Sequence, residues 1–396
     1  MTLDPARKNV LLLALCQALG MTGNTVLATV AALIGQALAD DKSLATFPLA
    51  LQQLATMGAT IPASLLMQRL GRRVGFQIGV LVGMAGSVLG VYAISSQSFP
   101  LFCLATILFG SFNGFAGFYR FAAAEAAHEQ FRSQAISLVI AGGVIAALVG
   151  PALATWSRVL MEAQYAGSLV VIITLQLVAL LLLTWVAMPR ASVVQQTEPV
   201  RPLMVIARQP KFIVAVLGSM LGYGTMALVM TATPLAMVAA SHPFDAAASV
   251  IQWHVLGMFA PSFVTGFLIA RFGVLNIILC GGVLNAFCIA INLLGTGFLE
   301  FWAALLLLGI GWNFMFVGST TLLTEAYAPA ERAKSQAMHD FLMFGFVAFA
   351  TFLSGRLLYD FGWDMVNYAG IPMNALAIAA VLWLRQRRDL APVSPD

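Results

Sequence analysis

Charge is scarce in this chain: Asp, Glu, Lys and Arg make up 9% of its 396 residues, where a soluble protein carries about 25%. Hydrophobic residues make up 60% and the mean hydropathy is +0.91. Those figures exclude a soluble enzyme, a nucleic-acid binder and a disordered chain, because so much apolar surface must face lipid. Cysteine is scarce too. Cys16, Cys103, Cys280 and Cys288 all sit in apolar runs and none is in CxxC spacing, so neither a disulfide framework nor a zinc site is expected. The first apolar run starts near Asn9 and passes Gly20 without an A-x-A-like cleavage site; it reads as a retained helix, not a signal peptide. No nucleophile–base pair or phosphate loop stands out, so enzymatic chemistry has no support. The net charge of +4 reads as topology information, not as a sign of a nucleic-acid partner.

What the chain does have is a succession of apolar runs, each near the about 20 residues that a spanning helix needs. They cover about 9–36, 46–68, 74–95, 100–122, 134–157 and 167–188, then 212–238, 248–270, 274–297, 301–324, 336–357 and 366–385. The expected fold is an all-α membrane protein with twelve transmembrane helices. Residues 1–188 form one six-helix bundle, 189–211 a polar linker, and 212–396 a second bundle with a tail. With the N-terminus inside, seventeen basic residues fall on inner segments, and only Lys42, Arg158 and Arg356 on outer ones. This positive-inside bias puts both termini in the cytoplasm.

The halves repeat. Arg69-Leu70-Gly71 matches Arg271-Phe272-Gly273, and Ser133-Gln134-Ala135 matches Ser335-Gln336-Ala337, both at an offset of 202. Asn113 and Asn313 are 200 apart. Two parallel six-helix repeats suit a carrier whose halves rock around a site near the midplane.

Arg69-Leu70-Gly71-Arg72-Arg73, between the second and third runs, resembles the loop signature of the major facilitator superfamily, with Ser64 and Gln68 where that signature has Gly and Asp. The resemblance implies that fold, with Arg69, Gly71, Arg72, Arg73, Arg271 and Gly273 as conformational-switch loops. Gly142-Gly143 and Gly150-Pro151 partly resemble the antiporter motif, with Ala146 and Ala154 at usual Gly positions. Met226-x3-Met230 in the seventh run and His254-x3-Met258 in the eighth resemble the paired motifs of the CcoA-like copper importers, a family that also includes riboflavin importers. That resemblance implies a monomeric transporter of the bacterial inner membrane. It carries copper as substrate, not as permanent cofactor, for cytochrome oxidase assembly, with copper chaperones as partners.

The residue chemistry is compatible with Cu(I). Residues at i and i+4 share a helix face, and thioethers and imidazole suit a soft ion. From the rise per residue, Met230 and Met226 lie roughly 10 and 16 Å below the outer end, His254 and Met258 roughly 8 and 14 Å. The offset of 202 maps the four onto Asn24, Ala28, Gln52 and Thr56, so the fold itself does not require soft ligands there. A cavity for riboflavin or another organic molecule is the alternative, a drug exporter a further one, and methionine as gap filler the plainest.

His339-x3-Met343 is a candidate second metal station, against a helix start with Asp340 near its positive end. Asn24, Gln52, Asn113 and Asn313 are candidates to line the cavity. Arg120, Glu125 and Glu325 are candidates for a cytoplasmic gate, with Arg132 and Lys334 as partners of the two acids. Pro234 and Pro261 are candidate hinges.

Overall fold

The structure, a computed structural model, describes residues 4–127, 132–188, 201–328 and 331–390. Residues 189–200 of the expected linker, with Arg190, lie outside the described residues, as do the side chains of Arg132, Ser133, Gln134 and Arg388.

The first half comprises α1 (Pro5–Leu38), α2 (Phe47–Leu70), α3 (Arg72–Ser95), α4 (Phe99–Ala116), α5 (Tyr119–Ala126), α6 (Arg132–Ser157) and α7 (Ala166–Thr184). The second comprises α8 (Leu203–Ala207), α9 (Pro210–Ala239), α10 (Phe244–Phe259), α11 (Ser262–Phe272), α12 (Val274–Asn292), α13 (Phe298–Thr324), α14 (Arg332–Phe361) and α15 (Trp363–Leu390). Helices α4 and α5 share one span, α10 and α11 another, and α8 is too short to cross, which leaves twelve crossings. Among the described residues nine helices are long and apolar enough to span, ten with the bent pair α10/α11; α2 and α6 supply the other two.

Three local features explain how the halves are built. Gly71 and Gly273 take φ of 88° and 85°, a left-handed geometry that favours glycine. Each ends its helix by donating its N–H to the carbonyl four residues back, Met67 at 3.0 Å and Ile269 at 2.9 Å. The repeated Arg-x-Gly is therefore a repeated helix stop. Second, glycines let helices touch: a Cβ at Gly79 would lie 2.5 Å from Phe115, and one at Gly281 2.7 Å from the Gly311 carbonyl. Small residues at crossings are how helices associate in lipid, where burial of apolar surface gives no preference. Third, Asn9 closes the first half, donating to the Ala187 carbonyl at 2.7 Å and accepting the Ala187 N–H at 3.0 Å.

The two prolines behave differently. Pro234 sits inside an unbroken α9, whereas Pro261 marks a break with a 44° bend between α10 and α11. The linker also differs from a purely polar connector. Its segment Leu203–Ala207 is helical, and Ile206 is buried with Phe212 in the core of the second half. Arg201 anchors it, bonding Glu331 at the start of α14 through its N–H, Nε and Nη2 at 2.9, 2.7 and 2.6 Å.

One end carries the start of α1, the end of α15 and most of the basic residues among the described residues; we call it the basic end. At the opposite end the halves are joined. Gly355 N–H donates to Thr46 Oγ1 at 3.1 Å, Arg356 reaches Ser43 at 3.2 Å, and Phe47 meets Phe352 edge-on at 5.8 Å. On the other flank Arg158 pairs with Asp245 at 3.4 Å and lies 4.5 Å over the Phe244 ring. Leu235 of α9 packs into the core of the first half. A cavity of about 450 Å³ remains at this end, lined by Gln36, Lys42, Leu235, Gly355, Tyr359 and Trp363 among others.

Candidate functional site

Helices α1 and α9 are the two most buried spans, yet each keeps a half-exposed stripe at helical spacing: Met21, Asn24 and Ala28 on α1, and Met220, Tyr223 and Met230 on α9. On a helix wrapped by protein such a stripe faces an internal space, not lipid. Beyond Lys8 and Lys211 neither helix carries a charged residue. The space between the halves is therefore lined by neutral groups on both central helices.

The first half lines it with amides. Asn24 and Asn113 exchange two hydrogen bonds, each 2.8 Å, and Gln52 donates to Asn24 at 3.2 Å. Buried Gln52 Oε1 has no partner. Three of the four expected cavity-polar residues thus form one cluster across α1, α2 and α4. The fourth departs from expectation. Asn313 is buried, accepts from Thr265 at 2.7 Å, and donates to the Met258 carbonyl at 2.7 Å and to Ser262 at 2.6 Å. The break at Pro261 frees polar groups that need partners, so Asn313 is spent holding the α10/α11 bend, not lining a cavity.

The second half contributes a wall of aromatic rings that the i, i+4 reading does not reveal. Trp312 and Phe316 of α13 stack at 4.9 Å and 7°. Tyr223 of α9 meets Trp312 at 5.3 Å, Phe316 at 6.0 Å and Phe344 of α14 at 6.2 Å, and Phe259 of α10 approaches Trp312 at 6.1 Å. Tyr223, Phe259, Phe316 and Phe344 stay partly exposed, and the indole N–H of Trp312 is buried without a partner. The available sequence signal was Trp312 and Phe316, one turn apart beside Asn313.

The four candidate copper ligands are placed unevenly. Met226 and Met258 are buried in one cluster with Trp312 and Leu308, with Met230 packed at its edge. His254 is turned to α13, its Nδ1 2.8 Å from the Leu305 carbonyl. A carbonyl only accepts, so Nδ1 holds the proton and Nε2 keeps a lone pair; Nε2 is buried and unpartnered. The cause is glycine: at Gly309, α13 leaves no room for a Cβ against the His254 carbonyl and the Met258 N–H. That close approach of α10 and α13 sets the ring's direction.

The second proposed metal station is occupied by the protein's own bonds. His339 Nε2 lies 2.6 Å from Ser219 Oγ and Nδ1 2.9 Å from Asp340 Oδ1, while Met343 packs beside Ala227 and Val347. Both ring nitrogens are engaged by protein groups.

At the basic end the expected gate acids bond Arg72 and Lys211 among the described residues. Glu125 takes both Arg72 Nε, at 2.9 Å, and Arg72 Nη2, so one switch-loop arginine is tied to the end of α5. Glu325 pairs with Lys211 at 3.0 Å. Lys334 donates to the Arg201 carbonyl, and the Arg132 side chain is outside the described residues. Arg120 lies 4.8 Å over Phe121 and acts electrostatically on Asp340 and Arg332 of the other half. Arg69 and Arg73 are both exposed, and Arg271 lies 5.4 Å over Phe272.

Comparison with known proteins adds the following. The profile of the Major Facilitator Superfamily matches residues 13–251 and 216–396. The chain is 42% identical over 382 residues to the "Riboflavin transporter RfnT" of Brucella anthropi, covering 95% of this chain and 96% of that one. It is 27% identical to the "Uncharacterized MFS-type transporter YdeG" of Bacillus subtilis, covering 96% and 93%. Among solved structures, a point mutant of the nucleoside transporter NupG superposes with a TM-score of 0.75 at 13% identity, covering 96% of this chain and 99% of that one; this is a likeness of fold.

Proposed function

Since this chain belongs to the major facilitator superfamily, and so is a multi-pass membrane transporter and not an enzyme, we propose that it carries riboflavin or a flavin-like molecule into the bacterial cytoplasm. The observation that carries the reading is the wall of Tyr223, Phe259, Trp312, Phe316 and Phe344 in the second half, together with the Asn24–Gln52–Asn113 amide cluster in the first. A flat aromatic ring system stacks on such rings, and its polar edge and hydroxylated chain need neutral donors and acceptors. Gln52 Oε1 and the Trp312 N–H, both buried without partners, are one acceptor and one donor of that kind. The identity to a riboflavin transporter across nearly the whole chain supports the same substrate class. In this reading the basic end faces the cytoplasm, by the positive-inside rule.

Copper import keeps one supporting observation, the lone pair of His254 Nε2 near a methionine cluster. No group of three or more His, Cys, Asp or Glu side chains suited to a metal occurs among the described residues, so a copper ion would rest on thioethers and one imidazole. The relative's substrate is an organic ring, and flavin is the better-supported cargo.

The test is uptake by purified protein in vesicles. Labelled riboflavin should enter saturably, unlabelled riboflavin should compete, and copper should not. Tyr223→Leu should raise the KM by about two- to tenfold, the worth of one ring–ring contact of about 0.5–1.5 kcal/mol. Riboflavin uptake no greater than in empty vesicles would overturn the reading.

A further inference from the structure

His339 is buried, seven residues into α14 and so roughly 10 Å from the basic end. A histidine at such depth is a functional candidate, and riboflavin recognition does not use it. Its surroundings allow it to hold or release a proton without stranding a polar group. Asp340 Oδ1, an acceptor, faces Nδ1 at 2.9 Å, so Nδ1 carries a hydrogen. Ser219 Oγ has one hydrogen and three acceptors in reach: the Ala215 carbonyl at 2.9 Å, the Val216 carbonyl at 3.2 Å, and His339 Nε2 at 2.6 Å. With Nε2 bare, Ser219 donates to it. With Nε2 protonated, the imidazolium donates to Ser219, which turns its hydrogen to the Ala215 carbonyl. Both states are fully bonded.

The pair also has a route to water and a link to the substrate wall. The Asp340 side chain is 44% exposed, and Arg120 of the other half acts on it electrostatically. Ser219 lies one turn below Tyr223 on α9, and Phe344, the partner of Tyr223, lies five residues beyond His339 on α14. The bond Ser219–His339 and the contact Tyr223–Phe344 thus tie the same two helices together. Among the described residues the other charged groups around the pair are Arg332 and Lys334 on α14 itself, the latter bonded to the Arg201 carbonyl, and Arg120 on α5. On elements packed against α14, Lys211 of α9 is paired with Glu325, Arg201 beside α8 with Glu331, and Arg385 of α15 with Asn276; α2 carries Arg69 at its basic end.

We propose that His339, with Asp340 and Ser219, is a proton-binding site that couples substrate import to an inward proton gradient. A proton taken up on the far side is held on Nε2, while Nδ1–H stays bonded to Asp340, whose carboxylate balances the imidazolium; the proton is then lost from Nε2 to water at the basic end. Its loss changes the donor in the bond between α9 and α14, beside the aromatic wall. This inference rests on the transport reading above.

The experiment compares wild type with His339→Gln and Asp340→Asn in vesicles, with the membrane potential clamped. In wild type an inward gradient of one pH unit should drive about tenfold riboflavin accumulation for one proton per substrate. His339→Gln keeps a side-chain hydrogen bond but does not titrate; it should retain riboflavin exchange without a gradient and lose gradient-driven accumulation. Asp340→Asn should do the same. Exchange without any gradient response in wild type, or unchanged gradient response in His339→Gln, would overturn the proposal. A flavin-free arm separates it from the substrate assignment. A cysteine at Leu235, buried where the halves meet at the far end, is labelled at varied pH with Cys280→Ser in place. Labelling should change with pH in the His339 background and not with His339→Gln; equal pH profiles would overturn the proposal even if riboflavin were not the cargo.

Discussion

Replacing Met226, Met230 and Met258 together by leucine separates the two cargo chemistries. Leucine conserves methionine's volume closely, and such swaps cost under about 1.5 kcal/mol each even in a packed core. Met226 and Met258 are 3% and 8% exposed in one cluster with Trp312, so each can cost near that ceiling, while the half-exposed Met230 costs less. A sulfur–aromatic contact is worth about 0.3–1.5 kcal/mol. Of the three only Met230 is exposed enough to touch the cargo, so the triple variant should fold and should move the riboflavin KM by no more than about tenfold, the worth of that one contact. For copper the same change removes three of four ligands and leaves one imidazole, since leucine offers no donor. The assay is riboflavin and copper uptake side by side in the same vesicles at equal protein. Loss of riboflavin transport by a hundredfold or more in a folded triple variant would refute this reasoning, as would copper uptake in wild type that the triple variant abolishes.

Two further outcomes follow from the geometry. Thr46→Val keeps the shape at the far-end seam but removes the acceptor of the Gly355 N–H at 3.1 Å and a longer donation to the Phe352 carbonyl at 3.4 Å; at about 1 kcal/mol for the shorter bond alone, it should shift the balance toward the far-side-open state at least about fivefold. Faster labelling of the Leu235 cysteine would show it, and an unchanged rate would place the seam's strength elsewhere. The Arg201 guanidinium, bonded to Glu331 and backed by the Ala328 N–H, holds that carboxyl down at about 2, below its ordinary 4.5. A depressed carboxylate contributes its stability above the ordinary value and loses it as pH falls. Amide exchange at Arg201 and Ala328, both donors to Glu331, should therefore be slow at neutral pH and speed up between 4.5 and about 2. Glu331→Gln should speed it already at neutral pH, and equal protection in that variant would show that another contact anchors the segment.

The spans, the two halves and the repeat of Arg69-Leu70-Gly71 in Arg271-Phe272-Gly273 were legible in the amino-acid order, while the structure added that both glycines stop a helix. Length and apolarity dictate a membrane helix one segment at a time, and a left-handed residue calls for glycine wherever it stands. The amide cluster was half legible: Asn24, Gln52 and Asn113 stood out as polar groups in apolar runs, but so did Asn313, which the bend at Pro261 claims for itself. Which way each helix is rotated was not legible. Lipid and protein interior are equally apolar, so hydrophobic patterning does not say which face looks inward. Spacing put Met226 with Met230 and His254 with Met258, but only the close crossing at Gly309 turned His254 to Leu305. Only the bundle brought Tyr223, Phe259, Trp312, Phe316 and Phe344 from four helices into one wall. Residues distant in the chain meet there because glycine crossings and interhelical hydrogen bonds fix rotations that single-helix periodicity leaves free.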